Sequence, residues 1–180
     1  MNIKTVVTLI LTISLIGLFF TLPLETKQQN SVNNDFLRIH IRANSNEDVD
    51  QNVKYKVKDA VVTYLTPIIS EATNKGDAIS LLCENLNEIE IVCDNVLLSS
   101  GFNYKSCAEI KTEQFPTRSY GDLTLEEGFY DSLIINLGTG SGNNWWCVVY
   151  PPLCFVNADN SNNVTYRSKL LEIINSFKGR

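Results

Sequence analysis

The sequence predicts an α+β domain, two helices packed on a small antiparallel sheet in the order β-α-α-β-β-β. Three observations lead there. Residues 36–42 (FLRIHIR) alternate apolar and polar with the period of a strand. Residues 49–100 then place apolar side chains at spacings of three and four, the period of a helix with one buried stripe. From residue 104 onward the strand period returns, punctuated by a Gly/Asn-rich turn. A strand, then helices, then a run of strands separates this pattern from the strict alternation of a parallel α/β sheet.

In the first strand Leu37, Ile39 and Ile41 share one face, while Arg38, His40 and Arg42 share the other, expected to be a solvated basic face. Asn44 and Ser45 stop it, and Ser45 with Asp48 three residues on suggests a capping pair for the next helix. That helix carries a stripe of Val49, Val53, Val57, Ala60, Val61, Tyr64, Leu65 and Ile68. Lys54, Lys56, Lys58 and Asp59 fall away from its centre, and Pro67 should kink or end it. A second helix is expected over 74–100, with Ala78, Leu82, Leu86, Ile89, Cys93, Val96 and Leu97 inward and Gly101 as its left-handed cap. Strands follow at 104–113, with Tyr104, Ala108 and Ile110 inward, at 129–137 and at 145–150; GTGSGNN, residues 138–144, turns between the last two. A tail helix is expected over 165–177, after a polar linker.

The amino end is of a different kind. Lys4 is the only charge before Glu25, and residues 6–24 are uncharged and largely apolar, the pattern of an export signal or signal anchor. The expected organisation is therefore a leader at 1–24, a polar tether at 25–34, an α+β signalling domain at 35–157, and a linker with tail helix at 158–180. Export to an oxidising space permits disulfides among the five cysteines at 83, 93, 107, 147 and 154.

Composition excludes several functions. A net charge of −5 speaks against nucleic acid, which wants a basic stripe, and one histidine excludes any metal site built on several imidazoles. No metal or cofactor is expected. Gly138, Gly140 and Gly142 precede a strand and no lysine follows them, so they read as a hairpin turn rather than a phosphate loop. Cys147 and Cys154 flank Pro151-Pro152, which can turn the chain back on itself. A bridge, two free thiols, or a nucleophile served by His40 are the three readings, and the turn favours the bridge. Such a short closed loop contributes about 2–3 kcal/mol when unstrained. Cys83 and Cys93 lie about 15 Å apart along an unbroken helix, beyond disulfide reach. Cys93 falls on the apolar stripe, and Cys107 on the outer face of its strand. No pair of acids stands out for general acid–base work.

Three stretches carry a family pattern: LRIHIRANSN…DQNVKYKVKDAVVTYL from residue 37, FPTRSYG at 115–121, and NWWCVVYPPLCF at 144–155. In order and spacing they resemble the stage II sporulation protein R family, with departures at Arg42 and Asn46. The resemblance implies a protein made in the forespore and exported into the space between forespore and mother-cell membranes. There it would activate a mother-cell membrane aspartic protease that processes pro-sigma-E. It implies a ligand, not an enzyme; the alternative is an exported cysteine-dependent hydrolase or a cell-wall-binding protein. Candidate partner-binding residues are Trp145, Trp146, Arg118, Tyr120, Arg38 and His40. The adjacent tryptophans of a strand point to opposite faces, so one is expected in the core and the other exposed.

Overall fold

The computed structural model describes residues 2, 35–120 and 123–154. The leader, tether and tail helix expected from the sequence lie, but for residue 2, outside the described residues. The elements are β1 (Leu37–Arg42), α1 (Asp48–Ile69), α2 (Lys75–Glu84), α3 (Leu86–Ser99), β2 (Ser106–Phe115), β3 (Arg118–Tyr120), β4 (Leu123–Leu125), β5 (Gly128–Leu137) and β6 (Asn144–Tyr150). The fold is α+β, with helices on one face of a four-stranded sheet ordered β2-β5-β1-β6. Among the described residues no helix is long and apolar enough to cross a membrane.

The sheet is mixed. β1 pairs antiparallel with β6 and β2 antiparallel with β5, but β1 and β5 run parallel, with Ile39 opposite Leu133. The four strands alternate in direction along the chain, and β5 enters between β2 and β1. Two strands of like direction thus become neighbours, which alternation within single strands does not reveal.

The stripe of α1 is Val53, Val57, Val61, Leu65 and Ile69, all buried, while Val49 is 64% exposed. Lys54, expected in solvent, is buried instead; its Nζ donates to the Asn143 carbonyl at 2.9 Å and to Gln51 Oε1 at 2.7 Å. Ser45 does not pair with Asp48. Its hydroxyl accepts the Glu47 N–H at 3.1 Å and donates to Asp50 at 2.6 Å, so it shapes the loop ahead of the helix rather than capping it. Asp50, also buried, accepts from Asn44 and from the Tyr104 hydroxyl.

The helix expected over 74–100 is two helices. Asn74 caps α2 by accepting the Asp77 N–H at 2.9 Å, and Gly101, with φ +86°, follows the end of α3 as expected. Between them the chain breaks at Asn85. Its side-chain amide donates to the Leu81 carbonyl at 2.8 Å and accepts the Tyr64 hydroxyl at 2.8 Å, so a local side-chain bond competes with the helical ladder.

The helix-side core joins Leu37, Ile39, Ile41, Leu133, Ile135 and Leu137 of the central strands to the stripes of the helices. Each such aliphatic side chain contributes about 1.5–3 kcal/mol on burial. The loop 138–143 turns as a hairpin. Its Thr139, Gly142 and Asn143 N–H groups are satisfied by Asn44 Oδ1, the Ala43 carbonyl and Asn46 Oδ1, leaving none of them to cradle an anion. A side chain at Gly142 would overlap the Ser45 carbonyl.

The opposite face of the sheet departs most from expectation. Arg38 and His40 are fully buried, because a second cluster of Phe36, Phe115, Leu125, Tyr130 and Val148 covers them, with the β3–β4 hairpin packed over it.

Candidate functional site

The alternation of β1 sends Arg38, His40 and Arg42 to the hairpin side, opposite Val148, Trp146 and Asn144 of β6. Register across β5 places Ser132, Ile134 and Asn136 beside them. The site grows from this row.

His40 is its centre. Its ring packs against Trp146 at 4.7 Å and Phe115 at 5.2 Å. Nε2 lies 2.9 Å from Glu113 Oε2 without hydrogen-bond alignment, and Nδ1 has no hydrogen-bond partner among the described residues. The other oxygen of Glu113 accepts from Arg42 at 2.6 Å. Burial, then the positive charges of Arg42 and Arg38, hold the imidazole down at about 3, against an ordinary 6.5. Glu113 pulls the other way, but its charge is already engaged by Arg42. His40 is therefore a neutral ring in this cluster, a packing group rather than a titrating one.

Arg38 ties the hairpin down. Its guanidinium donates to the Tyr120 hydroxyl at 3.0 Å and reaches the Pro116 carbonyl at 3.5 Å. It also lies over the rings of Phe115 and Tyr130, at 4.3 and 4.8 Å, where the aromatic faces attract a desolvated cation. Residues of the FPTRSYG stretch thus fold onto the strand LRIHIR. The third stretch arrives through Trp146, whose ring meets Phe115 edge-on at 4.9 Å and carries the Arg118 guanidinium 5.8 Å from its centroid.

Five of the six candidate partner residues therefore gather on one face. Arg38 and His40 lie beneath, Tyr120 is half-buried between layers, Trp146 is half-buried, and Arg118 is exposed. No partner reaches Arg38 or His40 unless the hairpin moves. Trp145 stands apart on the helix side, with Lys58 Nζ 6.0 Å from its ring centroid. Neither tryptophan is wholly core or wholly exposed; both are half-buried, and among the described residues β6 is an edge strand. Glu113, Phe115 and Tyr130 were not singled out by sequence reasoning. Glu113 and Phe115 share the face of β2 that its apolar residues Ala108 and Ile110 leave, and that was the available signal.

Cys147 and Cys154 are bridged, with Cα atoms 6.3 Å apart, within the ordinary span of a disulfide. Cys147 pairs in register with Ile39 and belongs to the helix-side core, so the sheet itself lies between its sulfur and His40. The pairing of a Cys147 or Cys154 nucleophile with His40 is not formed. Cys93 is buried, and burial pushes its thiol up to about 12; Cys83 and Cys107 are exposed. Among the described residues no group of His, Cys, Asp and Glu is placed to hold a metal ion.

Comparison with known proteins places this arrangement. The family profile described as stage II sporulation protein R matches residues 33–160, which span all three motif stretches. A curated relative, the stage II sporulation protein R of Bacillus subtilis (strain 168), is 34% identical over 128 residues. That match covers 71% of this chain and 57% of the relative, so it spans little more than half of the relative's length. No solved structure matches. With the family profile matching residues 33–160 and the relative 34% identical over 128 residues, this chain belongs to the stage II sporulation protein R family and has a role in sporulation.

Proposed function

We propose that the chain is an exported signalling protein of sporulation that binds and activates a mother-cell membrane aspartic protease, which then processes pro-sigma-E. It acts in the space between the forespore and mother-cell membranes, delivered there by residues 1–24, with membrane contact through residues 6–24 if the leader is kept. One observation carries the reading: three family stretches far apart in the chain meet at a patch whose inner members are locked and whose outer members are the exposed Arg118 and the half-buried Trp146. Such a patch supplies binding free energy, and a ligand that binds the active state of a partner better shifts the partner toward it. The thiol-hydrolase alternative loses support because Cys147 is bridged to Cys154 and faces away from His40.

The test is reconstitution of full-length chain with the protease and its pro-sigma substrate in cells or vesicles. Processing should saturate with ligand concentration as a binding curve does, and the ligand should emerge chemically unchanged. Trp146→Ala should weaken the response by about 1–4 kcal/mol with folding retained, as expected of an interface anchor. Processing driven at far below stoichiometric ligand, and abolished by thiol alkylation without unfolding, would replace the ligand with an enzyme.

A further inference from the structure

We infer that the Cys147–Cys154 bridge is a redox latch that assembles the Trp146–Arg118 patch, so that the chain presents it only after oxidation. The inference rests in part on the activator reading, but its structural half stands independently. Among the described residues β6 ends the sheet and is hydrogen-bonded on one side only, to β1. Immediately after it, residues 151–154 fold back against the strand. Cys154 lands on the helix-side core, while Leu153 packs into the hairpin-side cluster with Phe115, Val148 and Trp146. This clip therefore straddles the outer edge of β6 and closes both cores at once. Its Leu153 N–H donates to the Pro151 carbonyl within the clip, at 2.8 Å, and not to β6. The covalent link to Cys147 thus does what strand pairing does elsewhere in the sheet.

Releasing the clip would uncover Val148, and Trp146 beside it, which together with Phe115 support Arg118 and the hairpin. The chemistry is asymmetric. Cys147 is 2% exposed, whereas Cys154 is only partly buried, so Cys154 is the thiol that meets an oxidant. Its thiolate attacks an extracytoplasmic oxidant that carries a disulfide, forming a mixed disulfide and expelling one thiolate of the oxidant. The Cys147 thiolate then attacks the Cys154 sulfur and expels the second. Two thiols of this chain lose two protons and two electrons in all, and the oxidant leaves as a dithiol. In a reducing compartment of synthesis the edge stays unclipped, and the patch is completed only where such an oxidant is present.

The experiment uses full-length chain carrying Cys83→Ser and Cys107→Ser, which removes the exposed thiols that would confuse exchange. Amide hydrogen exchange is followed in oxidised and reduced protein, with Cys154→Ser as a permanently open form that leaves the buried Cys147 in place. Reduction should speed exchange by about tenfold or more in 144–150 and 118–120, while α1 and β5 keep their rates. Uniform acceleration throughout the domain would reduce the bridge to a global staple, and unchanged rates would leave no latch; either overturns the inference. In the reconstituted processing assay, oxidised chain should activate, while reduced chain and Cys154→Ser should be weak, with reduced chain rescued by reoxidation. Equal activation by the reduced form would refute the gate. Silence of both forms would count against the activator reading, with the exchange pattern still deciding the latch.

Discussion

The two faces of the central sheet are built from the same strands and differ in almost everything else. Toward the helices β1 and β5 present Leu37, Ile39, Ile41, Leu133, Ile135 and Leu137, covered by three helices. Toward the hairpin the alternate positions present Arg38, His40, Arg42, Ser132, Ile134 and Asn136, covered by aromatic rings and two three-residue strands. An aliphatic face needs only volume and exclusion of water, so many sequences satisfy it. A face that buries an arginine and a histidine is costlier, since a buried polar group left unpaired is penalised. Both His40 nitrogens lack an aligned hydrogen-bond partner among the described residues. The helix side therefore holds the fold, and the hairpin side is the conditional surface where the family stretches converge.

The contrast is sharpest for a large truncation on the helix side. Ile39→Ala should lower stability by about 2–5 kcal/mol in urea unfolding, from lost transfer energy and the cavity left in a fully buried site. Activation should fall only as far as the folded fraction does. On the other face Glu113→Gln keeps the shape but removes the charge that engages Arg42 beside the neutral His40 ring, and should cost about 1–3 kcal/mol in the same titration. A cost equal to that of Ile39→Ala, with no selective effect on activation, would erase the distinction between the faces.

The pH dependence of stability offers a finer comparison. His40 is held at about 3 when folded, against 6.5 in the unfolded chain, so below pH 6.5 the unfolded state takes up a proton that the folded state refuses. Stability is then lost as pH falls from 6.5 toward 3, with a slope approaching about 1.4 kcal/mol per pH unit for one proton. Asp50, Asp94 and Asp131 are held below their ordinary range by hydrogen bonds, with a lysine assisting the latter two, and their contribution is lost only at more acid pH. The interval from pH 6.5 to 5 therefore isolates His40. His40→Phe should flatten the curve there, and a variant that keeps the wild-type slope would show that the ring titrates freely. The smallest effect should come from Arg118→Ala: stability within about 0.5 kcal/mol of the parent, as for an exposed side chain, but a weaker processing response.

Much of the helix side was legible in the sequence, because burial there follows local periodicity. The strand 36–42, the stripe of α1, the start of the second helix near residue 74 and the Gly101 terminus all rest on residues within a turn or two of one another. What failed was nonlocal or too short to carry a period. Asn85 breaks the second helix although Leu82, Leu86 and Ile89 continue its stripe, and only the competition of its side chain for the Leu81 carbonyl explains the break. The β3–β4 hairpin has strands of three residues, below the length at which alternation is visible. Arg38, His40 and Lys54 read as solvated because their chemistry favours water; what buries them includes Tyr120, Trp146 and Asn143, 82 to 106 positions away along the chain. The candidate partner residues came from the motif stretches, and the gathering of five of the six on one face became visible only once the chain was folded.

The placement of β1 in the middle of the sheet bears on how the domain comes to exist. Its neighbours on either side are β5 and β6, so Ile39 finds Leu133 and Cys147 only after nearly the whole domain has been synthesised. Pairings of such long sequence separation are slow, since the loop between them must be closed before any contact compensates the lost entropy. The first strand to leave the ribosome is thus among the last to acquire its partners. During synthesis β1 therefore stays without its sheet neighbours, and the sheet cannot close until the chain has passed Tyr150.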